Sequence, residues 1–217
     1  MSDIIGVMPA TDFASKTAAR WGTAALNGSS HVLLPIAGST PAARLNLGHL
    51  EVQNAIQSAG ATAPLTVCYF GHGQEDSWAI FSDNGGSPPL TFQHTIVEGS
   101  HAPLFNGTVV VSIACLSGKS LGKAIAAHGG VFVGFENTIS WRPQIEQTET
   151  ALGLCLAAVV RLAVRLGRSV TRQALVNVFA DHISYWRELS RAGDGGDNAG
   201  IACNYLTSAR DGMIVIP

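Results

Sequence analysis

The sequence predicts an α/β fold, a three-layer α/β/α sandwich around a mainly parallel sheet. Two observations carry this. Short apolar runs alternate along the chain with longer amphipathic stretches, the order expected of βαβ units. The runs are continuously apolar, LTVCYF at 65–70 and TVVVSIA at 108–114 among them, as strands covered on both faces must be. Composition agrees with a large core: 47% of the 217 residues are hydrophobic and 13% are charged, against about 25% charged in an average domain. One domain spanning 1–217 is expected at this length.

The elements follow from local signals. Ile4–Met8 is a strand ended by Pro9. Thr11 or Asp12 caps a helix that runs to Leu26 and stops at Asn27-Gly28. His31–Ile36 is a second strand, and a helix over Ala42–Ser58 ends at Gly60. After the strand 65–70 comes Gly71-His72-Gly73. Trp78–Phe81 and Leu90–Phe92 flank Ser82–Gly86 as a hairpin. The strand 108–114 leads into Cys115, a helix over Leu121–His128 closes at Gly129-Gly130, and Val131–Phe135 is again a strand. Thr148–Leu166 and Val170–Leu189 read as two long helices, Gly193–Gly200 as a loop, and Met213–Ile216 as a last strand.

Charge and cysteine usage narrow the function. A net charge of −2 gives no electrostatic footprint for nucleic acid. The chain is too apolar and too weakly charged for disorder. Residues 151–160 are uncharged, but Arg161 and Arg165 follow, and a membrane span needs about 20 apolar residues, so a buried helix is expected. The N-terminus reads poorly as a secretory signal. Cys68, Cys115, Cys155 and Cys203 include no CxxC pair, which leaves metal or dithiol chemistry unsupported and favours a reduced, cytoplasmic setting. No cofactor is expected.

Two strand ends carry the chemistry. If the strands 65–70 and 108–114 are neighbours, about 4.8 Å apart, His72 and Cys115 emerge together at the carboxyl edge of the sheet, where open α/β sheets place their sites. A nucleophilic thiol needs a proton acceptor or an electropositive setting. The helix after Ser117 would offer its N-terminus to a thiolate, and Gly73, without a side chain, lets its N–H approach an oxyanion. Each residue alone has a plain structural reading: a buried cysteine, a satisfied histidine.

At these residues the chain resembles the caspase-like (clan CD) cysteine peptidases, in particular the CHAT and separase-like branch. The match consists of Phe70-Gly71-His72-Gly73, the hairpin that follows, a short helix-like segment, Ile113-Ala114-Cys115, the turn LSGKS, the helix LGKAIAAHGG, the strand VFVGF and the ending LTSARDGMIVIP. Phe135-Glu136-Asn137 departs from the Ser-Leu-Trp of many CHAT domains. The resemblance implies a caspase-like fold and a cysteine endopeptidase that cuts a partner protein. Cys115 would be the nucleophile, His72 the acid and base, and the N–H groups of Gly73 and Cys115 the oxyanion donors; no third catalytic member is implied. It also implies a place in a regulated bacterial defence or cell-death module, with control by a partner protein or self-association.

Specificity rests on few carboxylates. Glu136, just past the strand after the cysteine strand, and Asp12 are the candidate substrate-binding residues, and a preference for basic residues is expected from Glu136. Asn137–Gln147 is the expected exposed linker for any autocleavage. Two other readings stand beside the peptidase. A silent caspase-like scaffold would bind partners without cutting them. A nucleotide-binding domain is suggested by Ser117-Gly118-Lys119-Ser120, but GxxxxGK[ST] would need glycine where Ile113 stands. His94 and His101 are placed in a loop, at a pocket rim or in solvent. Seven of ten arginines fall within 142–191, read as a solvated helix edge or as a docking surface for an acidic partner.

Overall fold

Continuously apolar strands leave no solvent face, so they stack side by side under helices. A computed structural model describes residues 3–10, 12–27, 31–34, 41–59, 65–83, 91–194 and 196–217. In chain order the elements are β1 (Asp3–Val7), α1 (Phe13–Leu26), β2 (His31–Leu34), α2 (Pro41–Ala59), β3 (Leu65–Phe70), β4 (His72–Gly73), β5 (Ser77–Asp83) and β6 (Thr91–Glu98). A 3-10 segment (Gly99–Phe105) leads to β7 (Val109–Ile113), α3 (Leu121–Ala127), β8 (Val131–Phe135), α4 (Glu146–Leu166), α5 (Arg172–Ala192), α6 (Gly196–Gly212) and β9 (Met213–Ile216). The main sheet has the order β2-β1-β3-β7-β8-β9. Its pairings are parallel except for β9, which closes it antiparallel to β8. A small antiparallel sheet, β4-β5-β6, lies apart.

Period-two alternation sorts each strand between two cores. In β3, Cys68 and Phe70 face one side, with Trp21 and Ala25 of α1, Leu152 and Leu156 of α4, and Phe179 of α5. Val67 and Tyr69 face the other, with Val52 of α2, Trp78, Ile96, Phe105 and Ile125. The expected three-layer α/β/α sandwich with a mainly parallel sheet is therefore present. The small sheet and the 3-10 segment share one outer layer with α2 and α3.

Two expectations shift. Gly193–Gly200 is mostly not loop, because α6 begins at Gly196. Ala199, Ala202, Leu206 and Ala209 are buried at helical spacing, and their packing against α4 and α5 outweighs the low helix propensity of the glycines. His94 lies in β6 opposite Ile80, and His101 lies in the 3-10 segment. The arginines of 142–191 are all exposed, as the solvated-edge reading expects, and three of them also donate to backbone carbonyls: Arg161 to Ala24 O (3.2 Å), Arg168 to Gly129 O (3.0 Å) and Arg172 to Met213 O (2.8 Å). The strand ends 35–36, Gly28, Gly60 and the hairpin tip 84–90 lie outside the described residues. With the turn after it, α4 is long and apolar enough to cross a membrane by length and composition. Its apolar face, Leu152, Cys155, Leu156, Val159 and Val160, is buried in the core.

Candidate active site

The site starts from strand register. Phe70 pairs with Ile113 across β3 and β7. His72 and Cys115, each two residues further on, therefore leave the sheet at the same level. The Gly71 N–H donates to Ile113 O (3.3 Å) and extends the pairing one step beyond the strands. His72 is then held from behind. The buried Tyr69 hydroxyl bonds to His72 O (2.8 Å) and Ala79 O (3.0 Å), and the Tyr69 ring stacks on Trp78 with centroids 4.4 Å apart.

The turn after Cys115 is fixed as firmly. Leu116 has φ 58°, the one non-glycine residue at positive φ among the described residues. Such a conformation costs about 1–2 kcal/mol and persists only where the surroundings impose it. Here Leu116 N–H bonds to Asn137 O (3.1 Å) and Gly118 N–H to Phe135 O (2.9 Å). Beneath them runs a buried chain from Trp78 Nε1 to Ser112 Oγ (3.0 Å), Ser117 Oγ (2.9 Å) and Ala114 O (3.1 Å). Every member of this network is paired, which is what a buried polar network needs to specify one geometry.

The two halves are also tied to each other. Ser120 and Leu121 N–H groups both donate to Glu75 O (2.8 and 2.9 Å), and Lys119 Nζ pairs with Glu75 Oε1 (2.6 Å). This clamp fills the place a phosphate would take at SGKS: the amides and the lysine that would cradle it are committed to Glu75. Nucleotide binding therefore loses its one structural motif.

Asp12 was offered above as a substrate carboxylate; the structure gives it a different place. It is the N-cap of α1. Its Oδ1 accepts from Ser15 N–H (2.8 Å), and Ser15 Oγ bonds back to Asp12 N–H (3.0 Å), a reciprocal capping box. Its other oxygen, Oδ2, lies 2.7 Å from His72 Nε2. Burial alone would raise this carboxyl, but the hydrogen bonds from His72 and Ser15 and the imidazole charge outweigh it and hold it below its usual value. A carboxylate thus fixes the orientation of the His72 ring.

Cys115 is partly buried. Its Sγ accepts from Ile139 N–H (3.3 Å) and faces Ile139 O at 3.6 Å. Burial pushes the thiol above its ordinary value, with the Ile139 contact offsetting part of the rise. The expected thiolate stabilisation by the following helix is overridden. That helix, α3, begins only at Leu121, and desolvation dominates at the sulfur.

Both side chains border one cavity of about 170 Å³, lined by Ala14, Ala18, Trp21, Gly71, His72, Ile113, Ala114, Cys115, Ile139 and Trp141. Ile139 and Trp141 belong to the stretch expected as an exposed linker. Ile139 is instead buried, Asn137 Nδ2 bonds to Ser208 O (2.7 Å), and Thr148 Oγ1 closes the turn onto Arg142 and Ile145. Glu136 is exposed, is not among the lining residues, and is tied through its N–H to Gly212 O (2.8 Å). It therefore supplies no carboxylate to the cavity. Among the described residues, His101 does not line it either. Among the described residues no group of three or more His, Cys, Asp or Glu is arranged to hold a metal.

Gly73 is required by close approach. Gln74 N–H donates to Ser77 O (2.9 Å), and strand alternation then turns the Gly73 N–H away from β5. A Cβ at Gly73 would overlap the Cys115 carbonyl oxygen and stand 2.7 Å from Ala114 Cβ. Gly73→Ala should force the His72 and Cys115 segments apart. We expect a stability loss of about 1–3 kcal/mol and, since a 1 Å misplacement can cost about 10²-fold, a similar drop in turnover. Gly122→Ala is the control. Its Cβ meets the Phe132 ring at 2.6–3.0 Å, and neither residue lines the cavity, so it should lower the melting temperature without that loss per folded molecule. Equal activity losses in the two variants would refute the positioning role.

No family model matches the chain, and no curated protein does. Among solved structures, the Arg-specific cysteine proteinase gingipain R is similar over 98% of this chain and 45% of its own, with 12% identity and a TM-score of 0.46. A secreted C11 cysteine protease from Bacteroides thetaiotaomicron is similar over 75% of this chain and 57% of its own, with 13% identity and a TM-score of 0.38. The chain spans about half the length of these structures.

Proposed function

We propose that the chain is a cysteine endopeptidase that cuts a partner polypeptide with the pair His72 and Cys115. The observation that carries this reading is the Asp12–His72 contact, with His72 and Cys115 both lining one cavity. A histidine oriented by a carboxylate, next to a thiol at a sheet's carboxyl edge, is the arrangement nucleophilic acyl transfer uses.

The steps follow from the atoms present. Asp12 holds Nε2 of His72 and so orients the imidazole for proton exchange. The imidazole takes the thiol proton as Sγ attacks the scissile carbonyl, and the N–H groups of Gly73 and Cys115 receive the developing oxyanion. The C–N bond breaks, the leaving amine takes the proton from His72, and a thioester remains on Cys115. Water, deprotonated by His72, then releases the acid. Burial raises the free thiol above its ordinary value, so the proton passes to His72 in the attack itself. Substrate must also displace or share the Ile139 contact at Sγ, which gives a regulator a place to act. A role within a bacterial defence or cell-death module, under control by a partner or by self-association, is the context the caspase-like resemblance supports.

A peptide carrying an electrophilic ketone tests this against a silent scaffold. Stoichiometric labelling of Cys115, strongly slowed in His72→Ala, is expected. Labelling that spreads equally over Cys115 and Cys203, or that ignores His72, would favour the scaffold.

A further inference from the structure

The cavity beside the reacting pair says which side chain it can hold. Its walls are Ala14, Ala18 and Trp21 from α1, Ile113 from β7, and Ile139 and Trp141. Trp21 and Trp141 meet edge to face, with centroids 5.1 Å apart at 65°. Among the described residues, no carboxylate or guanidinium lines the cavity. The acids nearby are spoken for: Asp12 by His72 and Ser15, and Glu149 by Arg20 at 2.7 Å.

An unpaired charge is costly to bury in such a place, so arginine, lysine and aspartate side chains are disfavoured. The volume, about 170 Å³, compares with the roughly 150 Å³ of an apolar cavity that takes up benzene. Aromatic walls reward an aromatic guest through edge-to-face contact.

We propose that this cavity receives an aromatic side chain, of about one ring, from the residue whose carbonyl Cys115 attacks. The inference rests on the peptidase reading for the attack and on the cavity itself for the chemical class. A carbonyl seated at Sγ has its own residue's Cβ two bonds away, so that side chain is the one that reaches the wall Cys115 shares with Trp21 and Trp141.

Two measurements made in parallel test it. The first is equilibrium binding of N-acetyl amides of phenylalanine, leucine, arginine and aspartate to Cys115→Ala protein, read by tryptophan fluorescence and calorimetry. The second is cleavage by the unsubstituted protein of a fluorogenic peptide library varied at the same residue. The phenylalanine amide should bind at least about tenfold tighter than those of arginine and aspartate, a difference of about 1.4 kcal/mol, and cleavage should follow the same order. Ala14→Leu, which fills the cavity, should reverse the preference toward small residues; if that variant does not fold, the ratios in the unsubstituted protein decide alone. Binding or cleavage that favours arginine or aspartate overturns the inference and leaves the peptidase reading intact. No binding of any amide also overturns it. Aromatic binding with no peptide cleaved upholds the pocket's chemistry and overturns the peptidase reading.

Discussion

Cys115→Ala lowers peptide cleavage by about 10⁴–10⁶-fold, the loss expected when a covalent nucleophile that works as a unit with its base is removed. The fold should survive. The sulfur's hydrogen-bond contacts are both to Ile139, and Cys115 packs only partly buried at the margin of the core. The melting temperature should therefore move by a few degrees at most, the shift that about 1 kcal/mol gives in a domain of this size. Measuring turnover and thermal unfolding on the same preparation separates chemistry from stability. Residual cleavage within tenfold of the parent would mean that another group performs the reaction. Cys155 and Cys68 are poor substitutes, since burial pushes both thiols well above their ordinary value, that of Cys68 to about 12.

Asp12→Asn lowers turnover by about 10²–10⁴-fold while leaving helix α1 capped. The argument lies in the division of labour between the two oxygens. Oδ1 caps the helix, and asparagine caps about as well as aspartate. Oδ2 meets His72 Nε2, and an amide nitrogen there donates where a carboxylate accepted, which holds the wrong imidazole tautomer; a loss near 10⁴-fold follows such a change in a serine-protease triad. Asp12→Ala should lose the same activity and, in addition, about 1 kcal/mol of cap energy. The pH dependence has a definite sign. This carboxyl is held below its ordinary 3.8, so its stabilising contribution is complete above that value and is lost as pH falls through the lower folded value. In Asp12→Asn that acid-side decline should flatten. Full turnover in Asp12→Asn would remove Asp12 from the positioning role.

Much of this site was legible because its signals are local. Apolar runs ending in Gly-His-Gly and in Ala-Cys mark two strand ends, and both faces of a parallel sheet demand such runs. Asp12 was legible only in part. A helix cap is written in the sequence beside it, but its partner stands 60 residues away, on a contact that only the sheet order creates. Ile139 and Trp141 were hidden for a similar reason. The stretch around them is polar and turn-rich, and nothing local says that Cys115 and Trp21 anchor it. In α6 the glycines at 196, 200 and 212 masked a signal that was present. Ala199, Ala202, Leu206, Ala209 and Met213 recur at alternating steps of three and four, the spacing of a buried helix face.

The register that levels His72 with Cys115 also ties the site's survival to the most protected part of the molecule. Local opening in proteins is cheapest at edges and termini and dearest in central strands. Here the two bearing strands, β3 and β7, are neighbours at the middle of the six-stranded sheet. Amide exchange at Cys68–Phe70 and Val111–Ile113 should therefore be among the slowest in the chain, with the reacting pair lost only when the whole domain melts. The walls contributed by Ile139 and Trp141 hang on a connecting segment, where local opening costs less than in a central strand, so heating should loosen the pocket before it separates His72 from Cys115.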